Sequence, residues 1–486
     1  MMHATGYRRG PLNFAAAIAV ALVAACAAGP GYQPPDPATL SPAVFSTPDP
    51  ALATGGFPGG PPEDRWWQGF SDPVLDGLVA QALASNPDVA SAEARVREAR
   101  ALARAAGAAL LPALSAGGRV GRDELSRNGE NLALIPFRPA TTEFSDYRLG
   151  FDASWEIDLA GHTRREVEAA LARLGSRSES RNAARVVVAA EVAASYVEYR
   201  VAGQRLALAR TTADSFTETL RLVRLSERAG VASAVDRLHA EADASTAAAV
   251  PPALESEARA ALFRLAALCG EPSATLGPRL MRAQAVPAPP AAVPVGLPAE
   301  LLRRRPDVRR VERELAAATA DVGSAIAAQF PRLSLVGDFG WDSVRSGNLT
   351  AAASRYWSIG PQLALPLLAG GRLHAQTDAA RAARDAALAS YRSVVLGAFA
   401  DTESSLIRYA NERGRTANFV STVRALEDEV ALARRRLAAG DISGLELLAA
   451  ERSLSQATDQ RISSSGQLAL DFVALQKSLG GGWQTP

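Results

Sequence analysis

Alternation of apolar and polar residues marks two pairs of candidate strands. On the clearest of them, apolar and aromatic residues occupy every second position from Tyr147 to Ile157, with polar residues between them. A period of two is typical of a strand with one apolar face. A strand at 113–122 precedes it, and a second pair is predicted from the alternation at 333–341 and 357–367. Strands of about ten residues are long enough to cross a bilayer at a tilt.

A soluble hairpin packed on a core would show the same alternation. Membrane strands are favoured here because aromatic residues lie near the ends of the apolar faces, where a bilayer places them. The residues predicted to face lipid are Tyr147, Phe151, Trp155, Phe339, Trp341 and Trp357.

Each strand pair leads into a long segment without proline, at 162–228 and 372–438. At 1.5 Å per residue each helix would measure about 100 Å, and it must bury a stripe against partners. A coiled-coil seam is predicted where apolar residues are spaced by four and three. Its members in the second helix are Phe419, Val423, Leu426, Val430, Ala433 and Leu437, whereas the equivalent seam of the first helix ends in Glu227.

Gly230 and Gly440 follow the long helices at positions suited to a left-handed C-terminal residue. A second helix follows each glycine, giving two antiparallel helical hairpins. The first of these return helices is predicted from Ser233 to Ala249, with an interruption at Pro251-Pro252. The other is predicted at 443–479.

Similar motifs recur at an offset of about 210 residues and predict an internal duplication. Asn86-Pro87-Asp88-Val89 resembles Arg305-Pro306-Asp307-Val308, and Ala229-Gly230 resembles Ala439-Gly440. The predicted divisions are a first repeat at 71–283 with its strand pair in 113–158, a Pro-rich linker at 284–298, a second repeat at 299–480 with its strand pair in 332–367, and a tail at 481–486.

The N-terminus resembles a bacterial lipoprotein leader. Arg8 and Arg9 precede an apolar run from Phe14 to Ala25, which is the pattern of a secretory signal peptide. In Val23-Ala24-Ala25-Cys26 the cysteine matches the residue that becomes acylated. We therefore expect a signal peptide at 1–25, lipid on Cys26, and an extended segment at 26–70 that is rich in proline and glycine.

Composition excludes several classes of function. The chain has 486 residues and a formal net charge of +1, without the Lys/Arg excess that binding to nucleic acid requires. His162, His239 and His374 are isolated, and no Gly-rich phosphate loop or nucleophile elbow is present, so neither catalysis nor a metal or other cofactor is expected.

Four strands cannot close a membrane barrel, because the smallest barrels have eight. Open strand edges cannot exist in lipid, since unpaired backbone groups cost several kcal/mol each. Several copies must therefore assemble, giving 8, 12 or 16 strands for two, three or four chains. An anchored, hollow object that conducts solutes is the physical expectation.

Several motifs together resemble the TolC-like outer-membrane efflux family, in its lipoprotein (NodT-type) branch. They cover nearly the whole mature chain. They are Cys26 with Gly29-Pro30-Gly31-Tyr32-Gln33-Pro34-Pro35, Trp155-Glu156-Ile157-Asp158-Leu159, the tips Ala229-Gly230-Val231-Ala232-Ser233 and Ala439-Gly440-Asp441-Ile442-Ser443, and Leu268-Cys269-Gly270-Glu271-Pro272.

The resemblance implies a mainly α, mixed α+β fold: a homotrimer with a 12-stranded barrel, a periplasmic helical tunnel and a partial mixed α/β girdle. It implies a periplasmic adaptor that contacts the tips, Gly230, Val231, Gly440 and Asp441, and an inner-membrane pump, of the RND type in this branch. It also implies a periplasmic aperture at Asp236, Glu446 and Ile442. Ile442 replaces a basic residue that locks the aperture in the family, and Ala449 replaces a second acidic one. A closed state held by packing more than by salt bridges is therefore expected.

Three alternatives remain open from the sequence. The chain could be a conduit for secreted proteins with the same fold, or a non-conducting structural lipoprotein that spans the envelope. The acidic residues Asp236 and Glu446 could simply compensate the helix dipole, as exposed acids near a helix N-terminus usually do.

Overall fold

The computed structural model describes residues 28–36, 63–126, 142–280, 285–296 and 298–483. It is mainly helical with one small sheet, which confirms the predicted fold class at that level. The helices are α1 (Pro73–Ser85), α2 (Pro87–Ala108), α3 (His162–Arg228), α4 (Ala234–Leu268), α5 (Ser273–Leu280), α6 (Pro298–Arg304), α7 (Pro306–Ala327), α8 (Arg372–Ala439) and α9 (Gly444–Ser478). The strands are β1 (Ala113–Glu124), β2 (Glu143–Ile157), β3 (Arg332–Ser343) and β4 (Arg355–Ala364).

The chain folds into two compact units. Each unit contains residues from both predicted repeats. The sheet unit comprises Met1–Pro34, Arg97–Ser176 and Glu312–Ser390, where these are described. The helical unit comprises Pro35–Val96, Arg177–Val311 and Tyr391–Pro486, likewise. The bounds of these units do not coincide with the bounds of the repeats. The linker at 284–298 and the repeats on either side of it therefore stay a prediction.

The four strands form one antiparallel sheet in the order β1-β2-β3-β4. The central pairing of β2 with β3 joins the two predicted repeats, with Phe151 opposite Phe339. Residues opposite each other in an antiparallel pair point to the same face. This register therefore places the apolar positions of all four strands on one face of the sheet.

The predicted strands differ from the observed ones mainly at their ends. β2 begins at Glu143, four residues before Tyr147, and β1 continues to Glu124. The prediction that the last strand reaches Leu367 is wrong, since β4 ends at Ala364. Pro366 lies two residues beyond this end, and a proline has no N–H to donate to a ladder.

Short polar side chains cap the N-termini of the first two helices. At α1 the Asp72 carboxylate accepts the backbone N–H groups of Val74 and Leu75, at 2.9 and 3.3 Å. At α2 the Asn86 side chain accepts the N–H of Asp88 at 2.8 Å, and Pro87 occupies the first helical position. Both arrangements satisfy donors that a helix N-terminus leaves unpaired.

The predicted interruption of the first return helix is wrong. α4 runs without a break from Ala234 to Leu268, with Pro251 and Pro252 inside it. Each proline removes one i to i−4 hydrogen bond, which normally breaks a helix. The freed carbonyls are those of Ala247 and Ala248. Residues 248–250 are exposed to solvent and Ala247 is half-buried, so water can satisfy the carbonyl of Ala248.

Aromatic residues from distant parts of the chain form the core of the helical unit. Trp66 lies edge-on to Phe472 with ring centroids 5.9 Å apart, and Phe70 does so at 5.1 Å. Tyr196 of α3 is fully buried and donates its hydroxyl to the Asp72 carboxylate at 2.6 Å. The cap of α1 is therefore tied to the centre of this core.

The two long helices have the predicted lengths, at 67 and 68 residues. On α8 the predicted seam is the least exposed stripe of the C-terminal part: Val423 and Val430 are buried, and Leu426 lies half-buried between them. Coiled-coil geometry itself stays a prediction. None of the helices in the described ranges is both long and apolar enough to cross a membrane.

Candidate functional site

The apolar face of the sheet is exposed in one chain. Trp357 and Ile359 of β4 are 73% and 68% exposed, and Leu114 and Val120 of β1 exceed 70%. An exposed apolar surface of this kind marks a place where the protein meets a partner or a membrane.

All six residues predicted to face lipid lie on this apolar face, as the register requires. Trp155, Phe151 and Phe339 are exposed, whereas Tyr147 and Trp341 are half-buried. Trp155 donates its indole N–H to the Leu110 carbonyl at 3.0 Å, which anchors the ring at the end of the strand. Their position on one face is what the prediction requires, and contact with lipid stays a proposal.

The opposite face of the sheet is polar and carries ion pairs. Arg148 contacts Asp342 at 2.8 Å across the β2–β3 pairing, and Arg119 contacts Asp146 at 3.6 Å across β1–β2. Asp152 and Asp338 lie directly opposite each other, and neither has an ion-pair partner within the described residues. Like charges at this spacing repel unless water solvates them, so this face is suited to a hydrated surface.

The backbones of the two central strands approach each other closely on the polar face, which was not predicted from the sequence. Gly150 and Gly340 are register partners, and the Tyr356 hydroxyl lies over both of them. A Cβ atom at Gly340 would lie 2.5 Å from the Leu149 carbonyl oxygen. The available signal was a glycine inside each of the two central strands, which often marks such an approach.

Both outer strands of the sheet have one open edge. Within the described residues β1 pairs only with β2, and β4 pairs only with β3. Open edges present unpaired N–H and C=O groups, which can form hydrogen bonds with a strand of another chain.

The predicted hairpin tips lie in the helical unit and have the same local structure. Gly230 and Gly440 take φ of +77° and +80°, which confirms the left-handed conformation expected after the long helices. The N–H of Val231 donates to the Ser226 carbonyl, and that of Asp441 donates to the Arg436 carbonyl, both at 2.9 Å. These bonds satisfy carbonyls at the helix ends. Val231 is 83% exposed, and Asp441 is also exposed.

Asp236 and Glu446 have an identified local partner. Each carboxylate accepts the backbone N–H of the serine three residues earlier, at 2.9 Å for Ser233 and 2.7 Å for Ser443. The serine hydroxyls in turn accept the N–H groups of Asp236 and Glu446, completing two capping boxes. This supports the alternative that these acids serve the helix N-termini. Ile442, between the tip glycine and the capping serine, is half-buried.

The capping boxes predict a pH dependence of tip stability. Hydrogen bonds from Ser233 and Ser443 lower the pKa of Asp236 and Glu446 below their ordinary values of 3.8 and 4.5. These bonds exist only in the folded tips, so the stabilisation is complete above the ordinary pKa. It is lost as pH falls through the lowered pKa of each carboxyl group. Hydrogen exchange of the tip amides, corrected for its intrinsic pH dependence, should show opening below about pH 4.

Asp236→Asn supplies an internal control for that experiment. It should remove the acid-induced opening at the first tip and leave it unchanged at the second. If both tips of this variant still open alike, the capping carboxylates are not the titrating groups.

Polar contacts link the two hairpins within the helical unit. Arg205 of α3 contacts Asp459 of α9 at 2.8 Å, and Arg452 contacts Asp243 of α4 at 2.6 Å. The Arg452 guanidinium also lies 5.1 Å from the centre of the Phe216 ring. The hairpins are therefore neighbours in one chain.

Cys26 lies outside the described residues, but the chain that follows it is held in the sheet unit. The N–H of Ala28 donates to the Ala160 carbonyl at 2.8 Å, three residues after the end of β2. Arg165 donates to the carbonyls of Ala28 and Gly29, at 3.3 and 3.4 Å. We call Gly29, Arg165 and Gly323 the N-terminal clasp, because a Cβ atom at Gly29 would lie 2.6 Å from the Gly323 Cα.

Comparison with known proteins agrees with this geometry. Residues 78–271 and 297–481 match the family model "Outer membrane efflux protein". The chain is 31% identical to nodulation protein T of Rhizobium leguminosarum bv. viciae over 474 residues, covering 98% of this chain and 94% of that protein. It is 33% identical to the pyoverdine export outer membrane protein OpmQ of Pseudomonas aeruginosa, over 87% of this chain and 88% of that protein. The structure of the outer-membrane channel OprN superposes with a TM-score of 0.85 at 34% identity, covering 95% of this chain and all of OprN.

These matches confirm the resemblance, the outer-membrane location and the prediction that the chain is not an enzyme. The chain belongs to the outer membrane efflux protein family, whose members are channels.

Proposed function

We propose that three copies of this outer-membrane efflux channel close a barrel of twelve strands and conduct cargo passively out of the cell. A periplasmic adaptor and an inner-membrane pump of the RND type deliver the cargo and supply the energy. The observation that carries the proposal is the four-stranded sheet, which has one exposed apolar face, one polar face and two open edges.

Each part of that sheet has a counterpart in a closed membrane barrel. The apolar face suits lipid, and the polar face, with Asp152 opposite Asp338, suits a water-filled interior. The open edges of β1 and β4 would be paired by β4 and β1 of neighbouring copies, so that no backbone group is left unpaired in lipid.

The N-terminal clasp supports lipid attachment at Cys26. Ala28 is hydrogen-bonded beside the end of β2, only two residues after Cys26. If β2 crosses the membrane, a lipid on Cys26 is held near the boundary where the strand leaves it. The attached lipid would anchor the chain in one leaflet.

Replacement of Gly29 should release this segment. A side chain at Gly29 meets the Gly323 backbone and must adopt a φ of +88°, a combination that costs about 1–3 kcal/mol. We expect Gly29→Val to speed hydrogen exchange at the Ala28 amide at least about tenfold. Gly31→Val is the matched control, because nothing lies within 4 Å of a Cβ atom there. Equal exchange in the two variants would contradict the clasp.

We also propose that the tips contact the adaptor through Gly230, Val231, Gly440 and Asp441, and that Asp236, Glu446 and Ile442 lie at the periplasmic aperture. The engagement of both acids in capping boxes supports a closed state that depends on packing around Ile442. Substitution of Ile442 should then increase channel leakiness more than Asp236→Asn or Glu446→Gln. Greater leakiness of the Asp236 or Glu446 variants than of the Ile442 variant would contradict a closed state held by packing.

The conduit is tested by conductance of the purified full-length protein in planar bilayers. We expect small discrete openings of the channel. In gel electrophoresis we expect a trimer that is converted to monomer when the sample is heated. A membrane without current, from a preparation that still forms trimers, would overturn conduction and favour a structural lipoprotein. Cross-linking to the native pump would distinguish an efflux pump from a protein-secretion partner.

A further inference from the structure

A cavity of about 980 Å³ opens at the base of the sheet, within the sheet unit. We call it the basal groove. The ends of α2 and α7, the beginnings of α3 and α8, and the adjoining ends of β3 and β4 form its walls. Ligand pockets usually measure about 300–1,000 Å³, so this volume suits a drug-sized molecule.

The register shows on which side of the sheet the basal groove opens. Arg332 and Ala364 are register partners, and both line the groove. They alternate with Leu333 and Leu363 of the apolar face, so they belong to the polar face. Under the proposed function, the wall of the basal groove formed by Arg332 and Ala364 therefore faces the conduit and not lipid.

Small side chains keep the basal groove open. The helices and β4 contribute five alanines to its lining, Ala106, Ala170, Ala325, Ala328 and Ala364. The larger apolar residues of the lining are Leu365, Pro366 and Leu373. The groove thus combines an open volume with an apolar wall.

Two arginines in the basal groove lack a carboxylate partner within the described residues. Arg332 approaches His162 Nε2 at 3.5 Å, and Arg372 donates to the Gln376 side-chain oxygen at 3.2 Å. Neither partner carries a negative charge. An anion could therefore replace these contacts without breaking an ion pair of either arginine.

The acids of the basal groove are engaged elsewhere. Asp321 pairs with Arg173 at 2.5 Å, and Glu166 lies 3.4 Å from His162. The lining holds three guanidinium groups and two carboxylates, which leaves one net positive charge with neutral histidine. Guanidinium groups bind carboxylate, sulfonate and phosphate oxygens through paired hydrogen bonds.

We infer that the basal groove binds amphiphilic anions on their way through the conduit. Arg332 and Arg372 hold the acidic group, and Leu365, Pro366 and Leu373 contact the apolar body. This inference rests on the proposed function for its place in the conduit. It assigns a cargo class, organic acids with a ring or short chain, and three equivalent grooves per trimer.

The test uses two probes with the same ring and opposite charge, naphthalene-2-sulfonate and 1-naphthylmethylammonium. Each is added to single channels of the full-length protein in planar bilayers, and binding to the detergent-solubilised trimer is measured by calorimetry. We expect the sulfonate to interrupt the current and to bind, and the ammonium to do neither at the same concentration. Equal effects of the two probes would overturn the inference.

Variants locate the site. Arg332→Gln with Arg372→Gln should weaken sulfonate binding at least tenfold, and Ala328→Leu should weaken it by filling the groove without a change of charge. Arg381→Gln is the control, because Arg381 is an exposed arginine of α8 that pairs with Asp378 outside the groove. Unchanged binding in the double variant would overturn the site. If the protein bound the sulfonate but carried no current, that result would contradict the proposed conduction and not the binding site.

Discussion

Ile359→Arg is expected to prevent stable insertion of the sheet. Ile359 is the fifth of ten residues in β4, points to the apolar face and is 68% exposed in one chain. An arginine at the midplane of a membrane barrel, on the lipid side, costs about 2–4 kcal/mol. Three copies would carry this cost in every trimer. We expect loss of the heat-sensitive trimer from the outer-membrane fraction.

Gln362→Arg provides the matched control on the same strand. Gln362 lies opposite Ser334 on the polar face, so an arginine there would reach the hydrated interior. This variant should form trimers in normal amounts and unfold in urea near the wild-type midpoint. If the two arginine variants behaved alike, the assignment of the two faces to lipid and water would be wrong.

The sequence alone predicted the long helices well because their pattern is local. Residues 162–228 contain no proline, and their glycines do not interrupt the helix, so α3 has the predicted bounds. The hairpin tips were also predictable, because a glycine after a long helix and a serine before the next one act within a few residues. In both cases the interactions that decide the structure lie within one or two turns.

The errors and omissions arise where solvent or distant residues decide. Pro251 and Pro252 normally break a helix, but the solvent exposure of residues 248–250 lets α4 continue. The role of Asp236 as a capping residue is different, because Ser233 and Asp236 have the local Ser-x-x-acid spacing of a capping box, a signal that was available in the sequence and was not used. The basal groove joins four helices and two strands from both halves of the chain, so no local pattern could have predicted it.

The pairing of the two halves was likewise beyond the sequence, and it makes Gly340 the most sensitive glycine of the sheet. A Cβ atom there would lie 2.5 Å from the Leu149 carbonyl oxygen and 2.8 Å from the Gly150 Cα. Both are backbone atoms of β2, so the clash cannot be relieved by rotation of a side chain. Gly340→Ala must therefore move β3 away from β2, and it must also displace the Tyr356 hydroxyl, which lies 2.9 Å from the same point.

Overpacking at a rigid site costs about 1–3 kcal/mol, and here it acts on the pairing that joins the two halves of the chain. Gly340→Ala should lower the urea midpoint of the trimer and the temperature at which it dissociates. Gly360→Ala on β4 is the matched control, because no atom lies within 4 Å of a Cβ there and alanine restricts the unfolded chain. It should be neutral or slightly stabilising. Equal destabilisation by the two alanines would mean that any side chain in a sheet glycine position is harmful. The close approach of β2 and β3 would then not be the reason that glycine is required at position 340.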